Sequence, residues 1–196
     1  MRLVFVLLVV MLISFNWSCQ SETHRAIGEN ERMEMLDSIR SRALVPIKQM
    51  GGLLKSNLMA QLSLDSTGLG ALTYCNIRAI PLTESVNLKG NDKIKVRRTA
   101  LKYRNPSNKP DDLDIEVMKT YLLSKHKKSV DVVETHEGYR VYKPLFIEGM
   151  CLKCHGDILN MDRQLVSAIK EKYPNDEAVG YQQGEFRGVI VADVLR

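Results

Sequence analysis

Six residues, Cys151 to Gly156, carry the pattern with the strongest chemical meaning in this chain. They read CLKCHG, two cysteines separated by two residues and followed directly by a histidine. This spacing is typical of covalent haem attachment, in which two thiols add across the vinyl groups of a porphyrin. One helical turn brings both sulfurs to the edge of the ring, and the next histidine then lies beneath the iron. The motif predicts a haem c bound through Cys151, Cys154 and His155.

Two other chemistries use paired cysteines. A structural zinc site normally takes four ligands, and the sequence has no second Cys-x-x-Cys or His-x-x-x-His pair to complete one. A thioredoxin-type dithiol lies at the start of a helix after a strand and needs no adjacent histidine, although some periplasmic oxidants have one. The dithiol stays as a minor alternative to haem, and zinc as a weak one.

The N-terminus has the features of an export signal of the bacterial lipoprotein type. Residues 3–15 carry no charge, and this apolar run suits a secretory signal but is short of the about 20 residues that a membrane-spanning helix needs. Cys19 follows the small residue Ser18, as at lipoprotein cleavage sites, although Asn16 stands where that pattern has an aliphatic residue. We expect a signal peptide over residues 1–18 and acylation of Cys19; an uncleaved anchor is the alternative.

Either form of the N-terminus places the rest of the chain in the periplasm or cell envelope, as a membrane-anchored protein. Residues 19–30 are polar and predict a short tether. Residues 31–196 are then a single c-type haem domain, since the chain is 26% charged and 44% hydrophobic, as in folded soluble proteins. Covalent haem attachment is generally an extracytoplasmic reaction, so the two predictions agree.

The charge distribution argues against a nucleic-acid partner. The chain has a formal net charge of +5, but no dense group of lysines and arginines is interleaved with aromatic residues. The densest basic run is KHKK at residues 125–128. It closes a predicted helix, where positive charge complements the carbonyl end of the helix dipole.

Two helices are predicted before the first strand. Apolar residues recur at steps of three or four over residues 36–58, which indicates a long N-terminal helix that begins near residue 31. Pro46 lies within that pattern, and we expect a kink or break there. Asp65 then offers a cap for a second helix, which carries Cys75 on an apolar face.

The later segments supply a sheet and two more helices. Predicted strands lie at residues 93–104, in a hairpin over 129–147 and at 186–195, and predicted helices begin at Asp111 and cover 161–173. The cysteine motif directly follows the hairpin. Because strands and helices do not alternate regularly, we predict an α+β domain with a central antiparallel sheet, a long N-terminal helix and flanking helices.

A haem iron has a second axial position, and the residues alone leave its ligand open. Cys75 is the odd thiol once the motif takes two cysteines and lipid takes Cys19, but an inert buried cysteine fits that helical face equally well. The other side chains that could bind iron are Met118, Met150, Met161, His24, His126 and His136. The arginines considered for the haem propionates are Arg78, Arg97, Arg98 and Arg104.

Four segments of the chain read YCNIRA, RNPSNKP, YKPLFIEGMCLKCHG and YPNDEAVGYQQGEFRGVI. Over residues 65–196 and in consistent order, they resemble a family of periplasmic c-type haem domains with a PAS-like fold. The resemblance implies one covalent haem, ligated by His155 and by a cysteine of an upstream helix, which here is Cys75. Members occur alone or as the sensing part of membrane-bound signalling proteins; this sequence shows no transmitter domain, so direct phosphotransfer is not expected.

Two functions follow from such a haem. The first is a redox or small-gas sensing or binding module, in which loss of the thiolate on reduction would open a site for NO or CO. The alternative is an electron-transfer monohaem cytochrome that serves another periplasmic or membrane protein. The expected partners are the membrane, through the lipid anchor, a redox or signalling protein, and a diatomic gas. An enzyme is not expected, because no acid–base group accompanies the motif.

Overall fold

A computed structural model describes residues 2–90, 92–124 and 129–196, with the side chains of residues 2–27, 75 and 76 outside the description. The chain divides into two units, Met1–Ile39 and Arg40–Arg196. Cleavage before Cys19 and its acylation stay predictions, because that side chain lies outside the described part. Within the described residues, no helix is both long enough and apolar enough to cross a membrane.

The long N-terminal helix, α1, covers Arg2–Leu64, so it begins well before residue 31, where the apolar stripe predicted its start. Pro46 lies inside α1, which is not broken there, and a kink at this residue stays a prediction. Ala43, Ile47 and Met50 are fully buried. This packed face holds the helix together although a proline removes one backbone hydrogen bond.

The second helix, α2, covers Leu69–Lys89, and its N-cap position is Gly68. Asp65, the predicted cap, binds the first turn from three residues before that position. The carboxylate of Asp65 accepts hydrogen bonds from the backbone N–H groups of Gly70 and Thr67, each at 2.8 Å. These bonds favour the ionised carboxylate, and they lower the pKa of Asp65 to about 2. The turn between α1 and α2 is thereby fixed.

Among the described residues, four strands form one sheet: β1 Ile94–Thr99, β2 Asp131–Glu134, β3 Gly138–Phe146 and β4 Phe186–Leu195. Their order across the sheet is β1-β4-β3-β2, and every neighbouring pair is antiparallel. The predicted hairpin is the pair β2 and β3. The predicted final strand, β4, lies inside the sheet, and its residues Val189 to Ala192 are almost fully buried.

Three further helices complete the fold: α3 Asp112–Leu123, α4 Leu152–His155 and α5 Arg163–Lys172. Val117 and Tyr121 of α3 pack against Tyr142 of β3 and against β4. Leu165 of α5 packs against Leu72 of α2. The predicted α+β class, with its antiparallel sheet, long N-terminal helix and flanking helices, is confirmed; the basic run at residues 125–128 lies outside the described residues.

Candidate cofactor site

The cysteine motif follows β3 as a 3-10 turn, Gly149–Cys151, and the one-turn helix α4. Because an α-helix has about 3.6 residues per turn, this local conformation puts Cys151 and Cys154 on one side of the segment. Both cysteines are half-buried, and they are not joined by a disulfide. The backbone N–H of Glu148 points at the sulfur of Cys151 at 3.4 Å, which helps to hold that side chain.

Both cysteines and His155 line a cavity of about 370 Å³, a volume within the range of small-molecule and cofactor sites. Its apolar wall comes from α1, α2, β4 and the end of β3. The residues of this wall are Leu54, Leu58, Leu62, Ala71, Leu72, Ala79, Leu145, Phe146, Ile147, Val189 and Ile190. The packing of these elements therefore brings the predicted motif to the edge of a mostly apolar chamber.

The imidazole of His155 is held in the form that binds a metal. Its Nδ1 atom lies 2.7 Å from the carbonyl oxygen of Ala178, and since a carbonyl only accepts, Nδ1 carries the hydrogen and Nε2 keeps its lone pair. Burial, with added repulsion from Arg187 and Arg104, lowers the pKa of His155 well below its usual value. The ring is therefore neutral at physiological pH, as a metal ligand must be.

Two further bonds join the backbone of the motif to a later loop. Tyr181 donates its N–H to the carbonyl of His155 at 3.0 Å, and Gly180 donates to Gly156 at 2.8 Å. These bonds matter because α4 has a single turn and cannot satisfy its own backbone groups. The loop that begins at Asp176 is thus the support of the motif.

An ion pair locks this loop in place. Arg104 binds Asp176 at 3.0 and 3.1 Å, and the two side chains are only 11% and 6% exposed. Arg104 also donates to the carbonyl of Cys154, and Asp176 accepts the N–H of Ala178 at 2.9 Å. We call Arg104, Asp176 and Ala178 the clamp. Its hydrogen bonds hold the motif at the carbonyl of Cys154 and at Nδ1 of His155.

Sequence reasoning missed the role of the clamp. Ala178 acts through its carbonyl, which has no signature in the sequence. Arg104 was considered for haem propionates; it does line the cavity, but its guanidinium is committed to Asp176. The signal that could have found the pair is that both lie in segments of the family resemblance, residues 104–110 and 173–190.

The candidates for a second iron ligand lie in different parts of the structure. Cys75 lies in α2 between Leu72 and Ala79, which both line the cavity, but its side chain lies outside the described residues, as do His24 and His126. Met150 lines the cavity. Three others are elsewhere: Met118 is in the core under α3, Met161 is not among the described lining residues, and His136 is exposed beside the hairpin turn.

The arginines considered for the haem propionates also lie in different places. Arg98 lines the cavity, while Arg78 is exposed on α2. Arg97 belongs to another cluster, where it binds the fully buried Asp114 at 2.7 Å and Asp193 at 3.2 Å. Arg187, which the sequence did not single out, is a cavity residue.

The residues present fit a covalently attached haem. Two thiols and a neutral imidazole with Nε2 available line one chamber, and the other walls are apolar enough for a porphyrin face. Among the described residues, no group of three or more His, Cys, Asp and Glu side chains is placed for a metal ion.

We predict that Asp176→Asn lowers the free energy of unfolding by about 3–5 kcal/mol, because it leaves the charge of Arg104 buried without its partner. Urea unfolding measured by circular dichroism checks this. The matched control is Asp157→Asn, an exposed acid directly after the motif that caps the next turn, where asparagine caps equally well. Equal stability of the two variants would contradict a role for the clamp.

The comparisons with known proteins agree with this architecture. No curated protein sequence matches the chain. Among solved structures, the cyanobacterial haem-protein Tll0287 matches with a TM-score of 0.56 and 23% identity, over 76% of this chain and 96% of that chain; at this identity the likeness concerns the fold. The model of the Tll0287-like family matches residues 20–194, and the chain therefore belongs to the Tll0287-like family.

Proposed function

We propose that this chain is a c-type haem protein with one haem per chain, attached through Cys151 and Cys154 and ligated by His155. The observation that carries the proposal is the contact of His155 Nδ1 with the Ala178 carbonyl, which aims a neutral imidazole for metal binding in a cavity lined by both thiols. Membership of the Tll0287-like family supports it, since a solved protein of that fold is named a haem-protein.

For the second axial ligand we propose Cys75, as the family resemblance implies. Its position in α2 between two cavity-lining residues supports this assignment. We also propose that the sheet belongs to a PAS-like fold, as the family resemblance implies. A bound haem supplies reversible one-electron chemistry and a coordination position for small molecules. A thiolate from Cys75 would favour the ferric state and give a lower reduction potential than the thioether of Met150 would.

We favour a redox or small-gas sensing or binding module, which would respond to reduction, NO or CO. The support is a path from the cavity to the long helix: Leu54, Leu58 and Leu62 of α1 line the cavity, and Lys55 binds both carboxylate oxygens of Glu148 at 2.8 Å. Glu148 begins the turn that carries Cys151. A change of ligation would therefore act directly on α1, a helix that could pass it to a signalling partner.

Electron transfer to another periplasmic or membrane protein is the second candidate. The observation in its favour is apolar surface immediately after the motif, where Ile158 is 44% and Leu159 is 88% exposed. Such residues beside a haem edge suit the brief docking of a redox partner. We do not propose an enzyme, since Glu148, the acid among the described lining residues, is engaged by Lys55.

We place the protein in the periplasm or cell envelope, anchored to the membrane through acylated Cys19. The support is the sequence alone, namely the apolar run of residues 3–15 and the small residue before Cys19.

Material matured in a periplasm competent for c-type haem attachment should keep its colour through acid–acetone extraction and show the mass of polypeptide plus haem. Cys151→Ala with Cys154→Ala should abolish the covalent mass. Cys75→Ser is the matched cysteine variant, and it should keep the attached haem. Intact wild-type chain at the bare polypeptide mass, with the two sulfurs in a disulfide or on a metal ion, would refute the proposal.

The identity of the second ligand is tested on the haem-loaded protein. Cys75→Ser should remove the thiolate features of the low-spin ferric electron paramagnetic resonance spectrum and raise the reduction potential by on the order of 100 mV, because the ligand loses its charge. Met150→Leu, at the methionine that lines the cavity, should change neither. The assignment fails if the methionine variant alters the spectrum and the cysteine variant does not.

The same samples separate the two functions. A sensing module should reduce slowly, lose the sulfur features on reduction and then bind CO. An electron carrier should cycle rapidly and reversibly with its ligands unchanged.

Cys19→Ala should release the mature domain into the soluble periplasmic fraction or block its labelling with radioactive palmitate, because the lipid is the proposed anchor. Cell fractionation and labelling check this against Cys75→Ser, which should remain lipid-labelled and membrane-bound. Continued labelling of the Cys19 variant would disprove lipidation at this residue.

A further inference from the structure

Positive side chains outnumber acidic ones among the described residues that line the cavity. The described lining contains Lys55, Glu148, Arg98, Arg104 and Arg187. Lys55 is neutralised by Glu148, and Arg104 by Asp176. Arg187 is a further positive group of this lining, and the described acid of the chamber, Glu148, is already bound to Lys55. The contacts that the structure gives to Arg187 define its role best.

Arg187 is half-buried near the start of β4 and is held by groups that carry no charge. Its Nη1 donates to the carbonyl of Lys102 at 2.9 Å, and its guanidinium carbon lies 5.5 Å from the ring centre of Tyr181. Asp176, an acid that acts on it electrostatically, is bound to Arg104. The side chain of Tyr181 is a second hydrogen-bond partner of Arg187. A guanidinium has five N–H donors, so the Lys102 carbonyl and Tyr181 use part of its capacity.

The surroundings of Arg187 oppose its charge more than they favour it. Burial lowers the pKa of Arg187, and the neighbouring charge of Arg104 acts in the same direction. A guanidinium that loses water needs a hydrogen-bonded anion to recover the cost. A carboxylate in the cavity would supply one, and arginine binds carboxylates through two parallel hydrogen bonds.

We propose that Arg187 is an anion-binding residue of the cavity, and that it pairs with a carboxylate of a ligand whose apolar body lies against the leucine and isoleucine walls. The inference rests on the proposed haem function and deepens it, because a haem joins an apolar ring to two propionate carboxylates. Arg187 then holds one propionate, a role for which the sequence suggested other arginines.

The binding test uses the full chain with Cys151→Ala and Cys154→Ala, so that porphyrin binds reversibly. The probes are hemin and hemin dimethyl ester, which lacks the two negative charges. Arg187→Gln should weaken hemin binding at least about tenfold, as expected for one charged hydrogen-bonded pair, and leave the ester unaffected. Arg187→Lys should retain part of the hemin affinity, and Arg163→Gln, at an exposed arginine of α5, should change neither ligand.

Equal weakening of both probes by Arg187→Gln would show a structural role and overturn the inference, as would unchanged affinity for both. The covalently loaded protein gives a second readout. There, Arg187→Gln should move the pH-dependent step of the reduction potential to higher pH, because a propionate without its cation is protonated more readily. An unchanged pH profile in a protein that carries haem overturns the role of Arg187 alone, whereas exported wild-type chain without haem overturns the proposed function.

Discussion

The nearly buried ion pair between Arg104 and Asp176 connects three segments that are distant in sequence: the loop after β1, the motif and the loop before β4. Removing either charge would leave the other buried without a partner. The resulting loss of folding free energy is much larger than the stabilisation that an exposed ion pair of the same geometry provides. Through Ala178 the pair fixes the ring of His155, and through the Cys154 carbonyl it fixes the short helix α4. A single helical turn gains a defined position only from such external bonds.

The same positive charges serve two purposes in the cavity. Arg104 and Arg187 help to keep His155 neutral, which a metal ligand requires, and a cationic wall also suits the acidic groups of a ligand. Their effect on an iron centre opposes that of a thiolate, since nearby cations favour ferrous iron and an anionic ligand favours ferric iron. The reduction potential would therefore reflect the balance between Cys75 and these arginines, and mutations on the two sides should shift it in opposite directions.

The sequence predicted what depends on local pattern. The strands, the hairpin and the position of the motif after β3 follow from alternation, turn residues and spacing, and the structure confirms them. What the sequence did not predict depends on packing. The helix runs through Pro46 because Ala43, Ile47 and Met50 are buried beneath it. The partners of arginines are set by tertiary structure, so their roles could not be assigned from spacing, and the carbonyl of Ala178 leaves no trace in the residue type.

Two contacts of the motif with the rest of the protein differ in strength. The clamp is buried and holds His155 in one orientation, whereas the pair of Lys55 with Glu148 is 51% and 57% exposed and of the kind that contributes about 0–1 kcal/mol. In the proposed function, a change of the ligand at Cys75 would leave His155 in place and act first on the weaker contact between Lys55 and Glu148. That contact belongs to α1, whose leucines at 54, 58 and 62 line the same cavity. In the proposed sensing module, His155 would therefore be the fixed ligand and α1 the neighbouring helix that responds.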